Sequence, residues 1–492
     1  MSELGINFHF IAQTGGSFLT ENKEGVFYAA LVLFSLSGLA VGLFDVFKKT
    51  FVIGFSIFLL FPTIDIHFFV DLNYKGVTRG LFVTLADMFL LSLFTGTIIE
   101  ATRRKVRFVP RGIPIFIVFM LICAMTILNM RSFKPAFFTN PGYYYGLFEL
   151  FNLFKGLILL WVMINFLRTE KEIKFLLYLI AGMIIVETLY VIYAHLVLHR
   201  WSRAAGSLGH PNGLAMFVGM FVPLLLVMAL SYRNKGVGAI IMLGALLGAF
   251  TVMIKTGSRA GIGSMCIASA VALLLLLKNA RQLNWIRIVG ISFLFLVGAG
   301  FVVTRYWDRL YGRFGEVAKE AHVSSVSRRR LTEAGKDIWL SSPYVGHGIN
   351  SFPMEVTLDS KYYESRAEEH NLYLLMLAET GIIGCAAMVL VFLMFLHNGW
   401  KKVYRQKVSS SMRIISIGLM CGMLHVMIHN YFEFIFRAVY VSYFFWVLAA
   451  ALIACGYVLD DKIALIRRMR RKSILLKMQK AKERSDFSEI GT

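Results

Sequence analysis

The sequence predicts an all-α, polytopic membrane protein of about 12–13 transmembrane helices, and three observations support this fold class. Hydrophobic residues make up 57% of the 492 positions and charged residues only 16%, with a mean hydropathy of +0.66. Soluble domains are about one half apolar and one quarter charged, so this composition favours lipid. Apolar runs long enough to cross a bilayer recur along the chain, and only one long polar segment, residues 304–370, interrupts them.

About thirteen apolar runs are candidate spans, because roughly 20 mostly apolar residues cross a hydrocarbon core about 30 Å thick. They lie near residues 26–47, 50–70, 81–99, 114–130, 147–167, 175–199, 214–230, 237–254, 262–277, 288–303, 371–398, 414–430 and 438–459. With a cytoplasmic C-terminal tail, thirteen spans place the N-terminus outside the cell and twelve place it inside.

The distribution of basic residues predicts which loops face the cytoplasm. Although the net charge is +22, lysine and arginine concentrate in alternate short loops, which is typical of cytoplasmic loops and not of nucleic-acid binding. These segments are 103–107, 168–174, 278–282, 401–407 and 467–472. The basic tail, 460–492, is predicted to be an amphipathic helix on anionic lipid.

Several classes of chemistry lack support in the sequence. All five cysteines lie inside apolar runs without paired spacing, which predicts buried, reduced thiols and no disulfide or metal site. There is no Walker-type phosphate loop, so ATP is not expected as a direct energy source. No cofactor is predicted.

The loops on the opposite face carry arginines, which the positive-inside rule disfavours there. Arg203, Arg259 and the run Arg328–Arg330 fall in the predicted outer loops 200–213, 255–261 and 304–370; the fourth outer loop is 431–437. Arg203 alone is compatible with an anchor to lipid phosphates, and Arg259 with a helix cap. Three outer loops with arginine beside small residues also fit an oligophosphate clamp, because guanidinium groups bind phosphate oxygens bidentately.

The most unusual feature is "EEHN", Glu368 to Asn371, at the start of an apolar run. An imidazole titrates near pH 6.5, so His370 can accept a proton from a hydroxyl nucleophile, with Glu368 or Glu369 orienting the ring. The alternative is a histidine that caps the following helix.

Other histidines give weaker signals. His425 and His429 have a metal-ligand spacing, but Val426 stands where a zinc-protease motif needs glutamate, and no third ligand is apparent. His210 and His347 lie in outer loops and are secondary candidates.

Within the long polar segment, the patterns predict two helices and a turn. The stretches 323–340 and 360–375 both look helical, whereas "SSPYVGHGINSF", 341–352, has the glycines and proline of a turn.

Four segments in this order carry a family resemblance: "RAAGSLGHPNGLA", "TGSRAG", "SRRRLTEAGKDIWLSSPYVGHGINSF" and "EEHNLYLLMLAETGIIG". Together they resemble the O-antigen ligase and polysaccharide polymerase superfamily of bacterial envelopes over residues 195–435. The predicted organisation is then N-terminal transmembrane helices (1–194), a catalytic region (195–435), a last transmembrane helix (436–459) and the cytoplasmic tail (460–492).

The resemblance implies a metal-independent, inverting glycosyltransferase of the GT-C type, with an extracytoplasmic active site and a glycan on undecaprenyl or another polyprenyl diphosphate as donor. It assigns diphosphate binding to Arg203, Arg259 and Arg328, and activation of the acceptor hydroxyl to His370 with Glu369. The residues assigned supporting roles are Asn212, Ser258, Glu368 and Asn371. Thr332 departs from the family pattern, which usually has an aromatic residue four positions after the loop arginine, so Arg329 and Arg330 remain alternatives to Arg328.

The motifs do not separate a polymerase from a ligase that transfers a finished glycan to a terminal acceptor. The basic tail and lysine-rich loops favour a polymerase of a cell-wall or capsular polysaccharide, for example of teichuronic-acid type. A transporter of lipid-linked oligosaccharides is the rival class, although the two-fold hydropathy repeat typical of transporters is not apparent. The expected partners are the lipid-linked donor, a glycan acceptor, the bilayer and a chain-length regulator, but not nucleic acid.

Overall fold

The structure is a computed structural model. It describes residues 23–62, 67–69, 83–103, 106–130, 142–199, 203–230, 236–277, 317–358, 361–362, 369–404, 411–434 and 437–490.

These residues form helices almost throughout, with one short antiparallel pair of strands. The helices are α1 (Lys23–Leu43), α2 (Asp45–Leu60), α3 (Leu85–Glu100), α4 (Ile113–Thr126), α5 (Gly142–Phe166), α6 (Glu170–Leu196), α7 (Pro211–Leu230), α8 (Val237–Thr256), α9 (Arg259–Leu277), α10 (Val317–Ser341), α11 (Phe352–Leu358), α12 (Leu372–Tyr404), α13 (Ser411–His429) and α14 (Val439–Ile490). A 3₁₀ turn, Ile127–Asn129, follows α4, and the strands are β1 (His67–Phe69) and β2 (Val83–Thr84).

The prediction of an all-α polytopic membrane protein is confirmed. Within the described ranges, nine helices are long and apolar enough to cross a membrane: α1, α5, α6, α7, α8, α9, α12, α13 and α14. The run 50–70 is not a single span, because α2 ends at Leu60 and Pro62 follows, where a helix does not readily continue. The predicted span 288–303 lies outside the described residues.

Helix α7 is the centre of the bundle. All its residues from Asn212 to Leu230 are buried, and α8, α9 and α13 pack around it. A helix that is apolar on every face suits such a fully enclosed position. Asn212, in its first turn, is the polar exception at the end of α7 where the candidate site forms.

Helix α12 is interrupted at Gly381, which has φ 63° and ψ −172°. The loop before α11 packs into this break: His347 N donates to Ala378 O (3.2 Å), and Gly348 N donates to Glu379 O (2.7 Å). On the other side, Ile382 N donates to Pro343 O (2.9 Å). The backbone groups released by the break are therefore paired with the loop, as buried backbone requires.

The predictions for the polar segment were partly right. Helix α10 contains the whole predicted stretch 323–340, and most of 341–352 is non-helical, as expected. The stretch 360–375 is not one helix, since residues 369–371 are non-helical and α12 begins at Leu372. The Asn371 side chain sets that boundary: its Oδ1 accepts from Tyr373 N (3.0 Å) and Leu374 N (3.3 Å).

The cysteine prediction needs one correction. All five cysteines are free, and four are buried, but Cys266 is exposed on α9. Part of this helix is not covered by the described residues.

The predicted cytoplasmic loops 103–107 and 168–174 meet the start of the predicted tail at one end of the bundle. Glu170, at the start of α6, contacts Ser411 at the start of α13 and Lys462 of α14. Nearby, Arg111 pairs with Asp460 (3.0 Å). One continuous helix, α14, covers both the predicted last span and most of the tail.

Candidate functional site

The loop before α7 holds Arg203 at the opposite end of the bundle. Arg203 Nε donates to Thr256 O (2.8 Å), a carbonyl in the last turn of α8, and its Nη2 donates to Asn212 Oδ1 (2.8 Å). A helix C-terminus attracts a cation because its last carbonyls have no partner within the helix. Arg203 therefore caps α8, the role that had been considered for Arg259.

A buried carboxylate shapes this loop. Glu187 of α6 accepts a hydrogen bond from Ser207 N (2.8 Å) and contacts the Ser207 hydroxyl. Gly206 has φ +60°, and a Cβ there would collide with the Glu187 carboxylate. The turn that follows Arg203 is thus fixed by a glycine and an acidic side chain.

Arg259 is the first residue of α9, three residues after Thr256, whose carbonyl accepts from Arg203. Gly257 ends α8 with φ +59°, and a Cβ at this position would lie 3.6 Å from Arg203 Nε. Ser258 is buried, and its Oγ accepts from Gly261 N (3.2 Å), so it caps α9. Arg259 itself is exposed, with no hydrogen-bond or ion-pair partner assigned among the described residues. An exposed guanidinium at a helix N-terminus favours an anion.

Glu433, in the turn between α13 and α14, is the centre of the site, and the sequence analysis did not identify it. Its Oε1 accepts from Asn212 Nδ2 (2.6 Å) and from Arg328 Nη2 (3.2 Å), and its Oε2 lies 3.1 Å from His370 Nδ1. The residue is only 3% exposed. One carboxylate therefore joins α7, α10 and the start of α12.

The environment of Glu433 favours its ionised form. Burial raises the pKa of the carboxyl, but the hydrogen bond from His370 and the charges of His370, Arg328 and His429 outweigh burial and lower the pKa below 4.5. Because an ionised carboxylate only accepts hydrogen bonds, the contact assigns the proton to His370 Nδ1.

His370 is consequently oriented as a base. With Nδ1–H donated to Glu433, the lone pair of the neutral imidazole is on Nε2, and 34% of the side chain is exposed. Phe434 packs edge-on against the ring, with centroids 5.7 Å apart. A base held by a second polar group is the arrangement that activates hydroxyl nucleophiles.

Glu369, next to His370 in sequence, hydrogen-bonds to α10. Glu369 is 2% exposed, and its Oε1 accepts from Thr332 Oγ1 (3.1 Å). Burial raises the pKa of the Glu369 carboxyl. Glu368 lies outside the described residues. Among the described residues, Glu433 is the carboxylate that contacts the His370 ring.

The structure separates the three consecutive arginines. Arg328 reaches Glu433, whereas Arg329 pairs with Glu333 one turn along the exposed side of α10 (3.1 Å). Arg330 is exposed. Thr332, where the family pattern has an aromatic residue, contacts Glu369. Of these three arginines, Arg328 is the one that contacts Glu433.

The remaining histidines have different environments. His425 and His429 are completely buried, and His425 Nδ1 contacts Ser264 Oγ (3.0 Å). Throughout the described ranges, no group of three or more His, Cys, Asp or Glu side chains is arranged to hold a metal ion. His347 contacts Ser341 Oγ (2.8 Å), away from Glu433. His210 is closer to the site: desolvation lowers its pKa, against the opposing charge of Glu433.

A comparison with protein families finds a match within this region. Residues 243–389 match the family model described as O-antigen ligase. The match includes Arg259 and His370, while Arg203 and Glu433 lie on either side of it. A search of the curated proteins found no match.

The matched family implies a glycosyltransferase-like ligase or polymerase activity on lipid-linked glycans, and the nine apolar helices of the described chain suit a multi-pass membrane protein with that role. The O-antigen ligase domain at residues 243–389 supports an assignment to the O-antigen ligase and polysaccharide polymerase superfamily.

Proposed function

We propose that the protein is a metal-independent, inverting glycosyltransferase that polymerises polyprenyl-diphosphate-linked oligosaccharides into a cell-surface polysaccharide on the outer face of the membrane. The observation that carries this proposal is the convergence on Glu433. Arg328 and His370 contact this carboxylate directly, and Arg203 reaches it through Asn212. Arginines that can bind a diphosphate and a histidine that can accept a proton from a hydroxyl therefore lie at the same end of the bundle.

The donor diphosphate would bind between Arg203 and Arg259. Arg203 Nε donates to Thr256 O, three residues before the exposed Arg259, so both arginines belong to the junction between α8 and α9. Arg328 adds a third positive charge from α10. Guanidinium groups fixed where charge develops on a leaving group stabilise the transition state.

The transfer step requires no nucleotide because diphosphate is already a good leaving group. The acceptor hydroxyl loses its proton to His370 Nε2 as its oxygen bonds to the anomeric carbon. The bond from that carbon to the diphosphate oxygen breaks, and polyprenyl diphosphate departs with the electron pair. Attack from the side opposite the leaving group inverts the anomeric configuration.

The contact between His370 and Glu433 supports this role for the base. A negative partner on Nδ1 stabilises the imidazolium that forms when Nε2 takes the proton, and it keeps the ring in the productive tautomer. Glu369 and Asn371 would support the base indirectly, since Asn371 caps α12 and Glu369 contacts α10 through Thr332. Ser258 would do the same for Arg259 by capping α9.

A ligase that transfers a finished glycan to a terminal acceptor is the second candidate, and the description of the matched family favours it. The polymerase is favoured by the basic tail and lysine-rich loops, which fit cells without a lipid A core. A chain-length regulator would be a further partner of the polymerase.

The test is a transfer assay with purified protein in lipid, a polyprenyl-diphosphate oligosaccharide, a chelator and no nucleotide. We expect wild type and Arg329→Ala to lengthen the glycan on a gel, whereas His370→Ala and Arg259→Ala do not. Arg329 is the matched control because it is a nearby arginine paired on the exposed side of α10. Transfer only after a terminal acceptor is added would identify a ligase. Movement of the donor across the bilayer without any transfer would contradict both and identify a transporter.

A further inference from the structure

Four residues beyond Glu433, Arg437 forms a second polar cluster inside the bundle. Its Nε donates to Glu149 Oε1 of α5 (3.1 Å), and its Nη1 contacts Glu379 of α12. Arg437 is 7% exposed, Glu149 5% and Glu379 fully buried. One guanidinium thus binds two carboxylates from different helices.

Such a cluster is costly to bury, and stability alone does not explain it. Removing charges from water carries a large desolvation penalty, and well-packed apolar residues often replace a buried ion pair without loss of stability. Ionisable groups within membrane proteins are uncommon and usually functional. The cluster therefore suggests a role in setting a specific geometry.

The turn that precedes Arg437 also contacts His370 and the start of α12. Arg437 N donates to Phe434 O (2.9 Å), and Phe434 packs against the His370 ring. In the same turn, Asn430 O accepts from Leu372 N (3.0 Å), which fixes the first residue of α12. The turn that carries Glu433 therefore contacts both the His370 ring and the first residue of α12.

The other partners of Arg437 connect the turn to the break in α12. Glu379 lies two residues before Gly381, and its Oε1 also accepts from Phe352 N (3.3 Å). Its backbone carbonyl accepts from Gly348 N. Through one guanidinium, the turn of Glu433 is joined to the broken helix, the inserted loop and α5.

We propose that Arg437 is a positioning residue that holds Glu433 against His370, with Glu149 and Glu379 as its anchors. Its kinetic consequence rests on the proposed glycosyl transfer, whereas its structural consequence does not. Loss of the Arg437 guanidinium would shift Glu433. The contact between Glu433 and His370 would then lengthen, and Nδ1 of the imidazole would lose its partner.

The test compares two isosteric substitutions of buried glutamates. Glu149→Gln weakens the Arg437 cluster, and Glu100→Gln weakens the pair of Glu100 with Lys48, which lies at the other end of the bundle. The two glutamates are equally buried, at 5% and 4% exposure. Arg437→Lys is the third variant, since it keeps the charge but loses the planar fork.

The first measurement needs no enzymatic activity. Carbethoxylation of His370 by diethyl pyrocarbonate is followed by mass spectrometry at constant pH; the completely buried His425 and His429 serve as unreactive references. Because the carboxylate partner of Nδ1 sets the reactivity of Nε2, we expect the rate for His370 to differ several-fold from wild type in Glu149→Gln and Arg437→Lys, and to equal the wild-type rate in Glu100→Gln. Wild-type rates in all folded variants would overturn the proposal, whether or not the protein transfers glycans.

The second measurement is the turnover number. A displacement of about 1 Å can lower a rate about 10²-fold, so we expect a fall of that order in Arg437→Lys with the donor KM unchanged. If Arg437 acts through Glu433, the same substitution has no further effect in a Glu433→Gln background. If the losses in turnover number of the two single variants add in the double variant, Arg437 does not act through Glu433, and the positioning role is overturned.

Discussion

At the scale of single residues, Glu433 organises the site although it is remote in sequence from everything it contacts. It is 63 positions from His370 and 221 from Asn212. Its side chain is 4% exposed, so its ionised form depends on the hydrogen bond and the charges around it. The residue is therefore expected to affect catalysis more than binding.

Glu433→Gln should lower the turnover number on the order of 10²-fold or more, because an amide stabilises the imidazolium of His370 less than a carboxylate. The donor KM should change little, since the arginines that border the junction at Gly257 remain. Initial rates over a range of donor concentrations test this. Glu333→Gln, which alters only the exposed pair with Arg329, is the control. Equal turnover for Glu433→Gln and wild type would contradict the role of Glu433.

Glu369 predicts a pH-dependent stability of defined sign. Burial raises the pKa of Glu369 above 4.5, so the folded state binds its proton more tightly than the unfolded state does. This contribution to stability is complete below pH 4.5 and is lost as the pH rises through the folded pKa. Glu369→Gln has no ionisable carboxyl at this position, so this loss of stability with rising pH does not occur in the variant. The Tm of the variant relative to wild type should therefore rise with pH in this window, as followed by scanning fluorimetry in lipid. A pH-independent difference would contradict the raised pKa.

At the scale of elements, the break in α12 determines where the outer loop sits. The run 371–398 around Gly381 is mostly apolar, so composition predicts a single span there. The structure instead places the 342–351 loop against the released backbone groups. This arrangement also places Glu379 beside Arg437, and it depends on a glycine at the break.

Gly381→Ala should destabilise the protein by at least ~1–3 kcal/mol, because φ 63° with ψ −172° is a region that is essentially restricted to glycine. A Cβ would also collide with the Tyr344 carbonyl carbon. Thermal unfolding followed by size-exclusion chromatography measures the loss. Gly263→Ala is the matched control, since a Cβ on that α9 glycine meets nothing within 4 Å. Equal Tm values for the two variants would contradict the strain at Gly381.

At the scale of the whole molecule, the helix bundle has a cluster of polar contacts at each of its two ends. One end gathers the contacts of Glu170, Lys462 and Arg111, and the other gathers Arg203 and His370 around Glu433. The positive-inside rule predicts that the first end faces the cytoplasm. The proposed donor, with its lipid in the bilayer and its glycan in water, would then be used at the outer surface.

Single cysteines in a cysteine-free background test this orientation. Arg329 follows Arg328 at the end of the bundle that carries Glu433, and Met469 lies on the exposed part of α14 in the predicted cytoplasmic tail. A membrane-impermeant maleimide should label Arg329→Cys in intact cells and Met469→Cys only after permeabilisation. The reverse pattern would place the site in the cytoplasm and contradict the proposed use of an outer-face donor.

The sequence predicted some features of this molecule well, and the physical reasons are specific. Spans such as α7 and α9 follow from apolar length alone. Arg203, Arg259 and His370 were identified because ionisable residues are uncommon at helix ends on the predicted outer face. Glu433 did not stand out, although it is an acidic residue in a short, aromatic outer turn. Only tertiary packing brings that turn to His370, whereas Glu369 is adjacent in sequence but contacts Thr332.

The most direct test of the central claim is the amount of polyprenyl diphosphate released per glycosidic bond formed by purified protein. We expect one molecule per bond for wild type and for His347→Gln, whose ring contacts Ser341 away from the site. His370→Gln should still bind the donor but lose transfer by about 10²–10⁴-fold, the typical contribution of a general base. Undiminished release and transfer by His370→Gln would contradict the proposal that His370 activates the acceptor.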